Sequence, residues 1–204
     1  MTTPRDLLIT AMDTSTSRSL ERGDLSLALA GAELIDLLDT RAVGLDGDRV
    51  VPDHPPESTD RLLDEAASSL VRQPPYESVD DWLWRRGRGL AAVYLDALEA
   101  DGQLARQRHA RWMPARADEM VLVDSPARRG AADRWASGEP VLIALAAAVG
   151  IRDKPAEDSP VAVDDAVTTV LAATEDALRD LEFQRQRKAL DQAAFDNIWR
   201  ACGL

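Results

Sequence analysis

One stretch of this chain dominates its folding problem. From Asp24 to Thr40 it reads DLSLALAGAELIDLLDT, a run of helical periodicity. Leu25, Leu29, Ala32 and Leu37 fall near one face, and Leu27, Leu34 and Leu38 spread the apolar surface around most of the circumference. A helix apolar on nearly all sides has to be surrounded, so the rest of the chain must supply other amphipathic helices to cover it. The sequence does supply them. Thr3-Pro4 reads as an N-cap followed by proline at the first helical position, which predicts a short helix over residues 4 to 12, and the hydroxyl-rich DTSTSRSLERG predicts a loop after it. Ser58 or Thr59 is placed to cap a helix carrying Leu62, Leu63, Ala66, Leu70 and Val71. Ser78 with Asp81 resembles a capping arrangement for a helix bearing Trp82 and Trp84.

Gly87 and Gly89 are expected to break that helix before LAAVYLDALEA resumes, with Gly102 as its left-handed stop. Asp124 or Ser125 caps a helix starting at Pro126, and EPVLIALAAAVGI forms a short buried one. A long final helix is expected from about Val161 to Ala201, carrying Val167, Leu171, Leu178, Leu181, Leu190, Phe195, Ile198 and Trp199. Two short hairpins interrupt the helical pattern. Asp46-Gly47 between β-compatible runs signals the first, and the acid-free LARQRHARWMPAR, within residues 104–116, reads as a second hairpin or an extended arm. The fold expected is mainly α: a single compact helical domain over residues 1–204 with two short β-hairpins.

Composition narrows the function. A chain of 204 residues needs no covalent staple. One cysteine, Cys202, and two distant histidines, His54 and His109, leave no internal disulfide and none of the usual zinc spacings, so no metal and no cofactor is expected. The net charge of -12 opposes general nucleic-acid binding. That charge is uneven: -10 over residues 1–84, +3 over 85–135 and -5 over 136–204. An anionic partner therefore meets least repulsion in the middle segment. The start lacks a secretory pattern, and the apolar run from Val141 to Val149 is far shorter than a bilayer span, so the expected location is cytoplasmic, with any membrane contact peripheral at the inner face. Arginine outnumbers lysine 22 to 2 and alanine fills 33 positions, a codon-bias signature that suggests a bacterial source.

No catalytic signature is present: no Gly-x-Ser-x-Gly elbow, no phosphate-cradling GxxxxGK[ST], and no GxGxxG between strand and helix. The expectation is a protein without enzymatic activity. Two basic clusters remain. Arg85, Arg86 and Arg88, spaced by Gly87 and Gly89 at a helix start, offer guanidinium forks and backbone N–H groups to a phosphate, while the alternative reading pairs them with the many surface carboxylates. Arg106, Arg108, His109, Arg111 and Trp112 set an aromatic among bases, as at a membrane interface or partner surface; a charged edge strand guarded against aggregation has the same composition. Trp82, Trp135 and Trp199 read as core.

The order and spacing of DLLITAMD, DLSLALAGAELIDLL, the first hairpin, LLDEAASSL, QPPYESVDDWL and YLDALEADGQL resemble the Golgi phosphoprotein 3 family over roughly three quarters of the chain, a resemblance that fades after about residue 150. That resemblance implies a mostly helical domain without enzymatic activity. It also implies peripheral binding of phosphatidylinositol 4-phosphate, as in the eukaryotic members, and a hairpin after Gly102 used for self-association and membrane contact. The family's headgroup site uses a Trp, an Arg and two later arginines; these positions fall here at Glu21, Ala30, Arg88 and Ala91, so Arg88 alone keeps the family residue, with Arg22 beside Glu21 as the nearest substitute. The functional expectation is accordingly a lipid-binding protein for phosphoinositide-like anionic headgroups, contacting them through Arg85, Arg86, Arg88 and Arg22. The alternative is a soluble interaction or scaffold protein that has kept the fold and lost the lipid. Possible partners are an anionic phospholipid surface and a second copy through the 104–116 hairpin, with no nucleic acid.

Overall fold

A computed structural model describes residues 2–14, 21–54, 60–107, 119–151 and 164–201. Of the described residues 69% are helical, in eight helices, with two antiparallel strand pairs beside them. In order these are α1 (Thr3–Thr14), α2 (Arg22–Asp39), β1 (Val43–Asp46), β2 (Arg49–Pro52), α3 (Arg61–Ser68), α4 (Val79–Arg86), α5 (Leu90–Ala100), β3 (Leu104–Gln107), β4 (Glu119–Leu122), α6 (Pro126–Ala136), α7 (Pro140–Ala148) and α8 (Asp165–Ala201).

Helix α2 is the axis of the fold. Every residue from Leu25 to Ile35 is buried, as its apolar circumference requires, and α1, α3, α4, α5, α7 and α8 all pack against it. Complete burial of a leucine contributes roughly 1.5 to 3 kcal/mol, and Leu29, Leu34 and Leu37 are each fully buried on this one helix. Close approach of α8 depends on Gly31: a Cβ there would lie 2.5 Å from the Thr174 hydroxyl, so any side chain pushes the two helices apart. Helix α1 lies between α2 and the α6–α7 pair.

The caps show where local chemistry sets the boundaries. Ser78 and Asp81 form the expected reciprocal capping box on α4, and Ser125 caps α6 at the Arg128 N–H with Pro126 at the first position. The cap of α3 is Asp60, whose carboxylate accepts from the Leu62 and Leu63 N–H groups; Ser58 and Thr59 lie outside the described residues. Helix α2 begins at Arg22, two residues before the expected Asp24, with no side-chain cap from Glu21. The added turn is exposed but lies beside α8, where a Cβ on Gly23 would be 3.2 Å from the Leu181 side chain. Helix α1 outlasts its expected end at residue 12 and runs to Thr14. The break after α4 falls where the two glycines put it, and Gly89 adopts φ +71 ahead of α5.

The first hairpin pairs Val43 with Pro52 and Asp46 with Arg49 around the expected turn. It is tied to the entry of α4 by Val50 N–H to Glu77 and Val79 N–H to Asp48. The second pairs Leu104 with Leu122 and Gln107 with Glu119. Its returning strand lies beyond residue 116, so the hairpin is longer than the 104–116 reading; residues 108–118 lie outside the described residues. Leu104 and Leu122 are buried and anchor its base. The long last helix exists, and among the described residues its core members run from Val167 to Leu178. Leu190 and Phe195, expected on an apolar helical face, are 71% and 55% exposed, and Phe183 is 66% exposed.

Candidate functional site

The four arginines singled out by sequence separate into two kinds. Arg86 closes α4 and points inward. Its Nε and Nη2 donate to the two oxygens of Glu33 at 2.7 and 2.9 Å, and Nη2 also reaches the Leu62 carbonyl at 3.3 Å. Glu33 comes from the middle of α2 and is fully buried; its Oε1 also accepts from the Tyr94 hydroxyl of α5 at 3.0 Å. Burial pushes the Glu33 carboxyl above its ordinary value, and the Arg86 fork and Tyr94 pull against that. The same burial, with Glu33 beside it, pushes the Tyr94 phenol far up. This node joins α2, α4 and α5 and leaves no fork for a ligand.

Arg85 is likewise committed. It donates from Nε and Nη2 to the two oxygens of Glu77 at 3.0 and 2.7 Å, and its guanidinium lies 5.2 Å from the centre of the Trp82 ring. Trp82 is fully buried and donates from Nε1 to the Ala30 carbonyl at 3.1 Å. The Ala30 position is thus core, where the resemblance would put a headgroup arginine.

Arg88 and Arg22 are different. Both are exposed, and neither side chain has an ion-pair or hydrogen-bond partner among the described residues. They flank two adjoining helix starts. The Ser26 hydroxyl donates to the Arg22 carbonyl at 2.7 Å and accepts from the Ala91 N–H at 3.0 Å, linking the first turn of α2 to that of α5. Gly87 completes the junction: a Cβ there would lie 2.6 Å from the Leu83 carbonyl, 3.2 Å from the Leu27 side chain and 3.3 Å from the Ser26 carbonyl. The turn carrying Arg88 is therefore pressed onto the N-terminal end of α2, where the positive end of a helix favours an anion. Glu21 and Asp24, the carboxylates beside Arg22, are held by Arg185 of α8 at 2.8 Å each.

Two cavities lie elsewhere. One of about 350 Å³ is bounded by Asp24, the C-terminal end of α7 and the Glu175 to Arg185 stretch of α8; the other, about 500 Å³, lies beside Arg5, Asp60 and Asp101. None of the four arginines lines either one. Of the second basic cluster, Arg106 stands in β3 opposite Met120, and Arg108, Arg111 and Trp112 lie outside the described residues. Among the described residues no group of three or more His, Cys, Asp or Glu is placed to hold a metal ion, and no helix is long and apolar enough to cross a membrane.

One charged junction carried no sequence signal. Arg134 of α6 bonds the fully buried Asp6 of α1 at 2.6 Å and Glu139 at 3.1 Å. Nearby, Asp36 of α2 accepts the Thr3 N–H at 2.8 Å, and burial pushes its carboxyl up to about 6. These partners are 128 and 33 residues apart in the chain, beyond the reach of any local motif.

No curated protein matches the chain. The sequence profile of one family, described as Golgi phosphoprotein 3 (GPP34), matches residues 4–193. With nearly the whole chain matched, from the first turn of α1 to deep within α8, the protein belongs to the Golgi phosphoprotein 3 family.

Proposed function

We propose that this chain is a non-enzymatic, peripheral binding protein for anionic phospholipid headgroups, of the phosphoinositide type that its family resemblance implies, with Arg88 and Arg22 as the contacting cations. One observation carries this reading: two exposed guanidinium groups, neither paired among the described residues, flank adjoining helix starts that the Ser26 hydroxyl fastens together. Each can give a phosphate charge-assisted hydrogen bonds worth roughly 1.5 to 3 kcal/mol. Against them stands the overall charge of -12, which repels an anionic bilayer. The balance favours weak, salt-sensitive association through this face rather than tight capture in a pocket.

A second reading has its own support. Arg85 and Arg86 have their forks filled by Glu77 and Glu33, and Glu21 stands where the resemblance puts a headgroup tryptophan. A member that has redirected these positions to internal pairing fits a soluble interaction protein that has lost the lipid. Co-sedimentation with vesicles separates the two, using zwitterionic lipid alone and then mixed with phosphatidylinositol 4-phosphate or another anionic phospholipid. Binding that rises with anionic content and falls with added salt supports the first reading; equal absence of binding from every vesicle supports the second.

A further inference from the structure

Helix α8 carries one charge to the start of α2. Thr174 lies against Gly31, and Leu181 and Arg185 lie against Gly23, so α8 runs antiparallel along α2 and brings Arg185 to its N-terminal end. A Cβ on Gly23 would stand 3.0 Å from Arg185 Nη2, and the missing side chain leaves the guanidinium room over the first turn. There Arg185 Nε is 2.8 Å from Glu21, while Nη1 is 2.8 Å from one Asp24 oxygen and donates to the other at 3.0 Å. Nη1 is also 3.6 Å from Glu182, one turn back on its own helix. The side chains of Arg185 and Asp24 are only 26% and 24% exposed, so water and salt screen their contact less than they screen a surface pair.

We propose that Arg185 is a positioning residue of the headgroup site: it neutralises Glu21 and Asp24, and so makes the end of α2 beside Arg22 and Arg88 receptive to an anion. This inference rests on the headgroup reading. The local charges decide it. Arg22 and Arg88 by themselves meet three carboxylates, Glu21, Asp24 and Glu182, an acidic surplus that repels a phosphate. Arg185 brings the two signs level, and the positive end of α2 then tips the junction toward an anion. Arg185 is not itself a contacting cation. Two of its nitrogens face carboxylates and the third lies over Gly23, so it acts through the acids it holds. The site is thereby made dependent on the docking of α8, whose Arg185 comes from 161 residues beyond Asp24 in the chain.

Co-sedimentation of the full chain with phosphatidylcholine vesicles containing phosphatidylinositol 4-phosphate tests it. Arg185→Gln should bind about five- to tenfold more weakly than wild type at low salt, and Arg185→Lys, which keeps the charge, should hold most of the binding. Adding Glu21→Gln and Asp24→Asn to Arg185→Gln should bring binding back to within about twofold of wild type, a recovery that a role confined to docking α8 does not give. Glu21→Gln with Asp24→Asn in the otherwise unchanged chain frees Arg185 and should bind more tightly than wild type. That pair decides the matter if Arg185→Gln loses helix by circular dichroism. Equal binding by Arg185→Gln and wild type overturns the inference and leaves the headgroup reading standing. So does a deficit that the two carboxylate changes fail to repair, or a carboxylate pair variant that binds no better than wild type. A wild type that binds no anionic vesicle removes the headgroup reading and this inference with it.

Discussion

Arg86 and Arg88 stand two residues apart and live in different worlds. Arg86 ends a helix whose last turn faces α2, so its fork is taken by the buried Glu33 carboxylate, to which the Tyr94 hydroxyl also donates. Arg88 follows Gly87, which presses the backbone onto Ser26 and turns the next side chain to solvent. The difference lies in what each side chain can reach, not in residue type. An arginine-rich string in an acidic chain therefore holds both structural and available cations, and only the long-range partner separates them.

The largest expected effect is on the committed side. Arg86→Ala strands Glu33 in the core, which should cost about 3 to 5 kcal/mol in urea denaturation. Glu33→Gln together with Arg86→Met should recover much of that loss, because an apolar pair removes the charge along with its partner. If Arg86→Ala changes stability no more than Arg88→Ala does, the contrast between them is wrong.

A buried carboxylate without a guanidinium fork sharpens the contrast. Asp36 titrates near 6 in the fold against an ordinary value of 3.8, so the folded chain holds the proton more tightly than the unfolded one. Its contribution to stability is complete below about pH 4 and is lost as pH rises through 6, about 2 to 3 kcal/mol in all. Between pH 7 and pH 5, wild type should gain stability relative to Asp36→Asn. Equal pH dependence of the two unfolding midpoints would rule this out.

Smaller effects follow. Gly87→Ala should cost about 1 to 3 kcal/mol, since its Cβ meets two backbone carbonyls that cannot swing away; thermal melting reads it directly. Arg85→Ala should cost no more than about 1 kcal/mol, because its pair with Glu77 is partly in solvent. Arg88→Ala should leave the unfolding midpoint within about 0.5 kcal/mol of wild type.

Much of the fold was legible because its signals are local. The α4 capping box, the Ser125 cap, the Asp46-Gly47 hairpin and the glycine break after α4 each need only a few neighbouring residues. So did the central place of α2, since an apolar circumference has one environment open to it. Boundaries were less legible where the start of a helix lies against a distant element, as Gly23 does beside α8, and where an acid takes the place of another candidate cap, as Asp60 does at α3. The site was legible only as a cluster. Nothing near Arg86 in sequence announces Glu33, which is 53 residues away. The Ser26 link between Arg22 and Ala91 was equally hidden, since a serine inside an apolar helix reads as incidental.

The most direct test of this division of labour is vesicle co-sedimentation of folded variants at matched ionic strength. Arg22→Ala with Arg88→Ala should lose most of the wild-type binding to anionic vesicles with an unchanged unfolding midpoint, and Arg85→Ala should bind as wild type does. Equal binding by wild type and the Arg22/Arg88 variant, or loss of binding with Arg85→Ala alone, would contradict it.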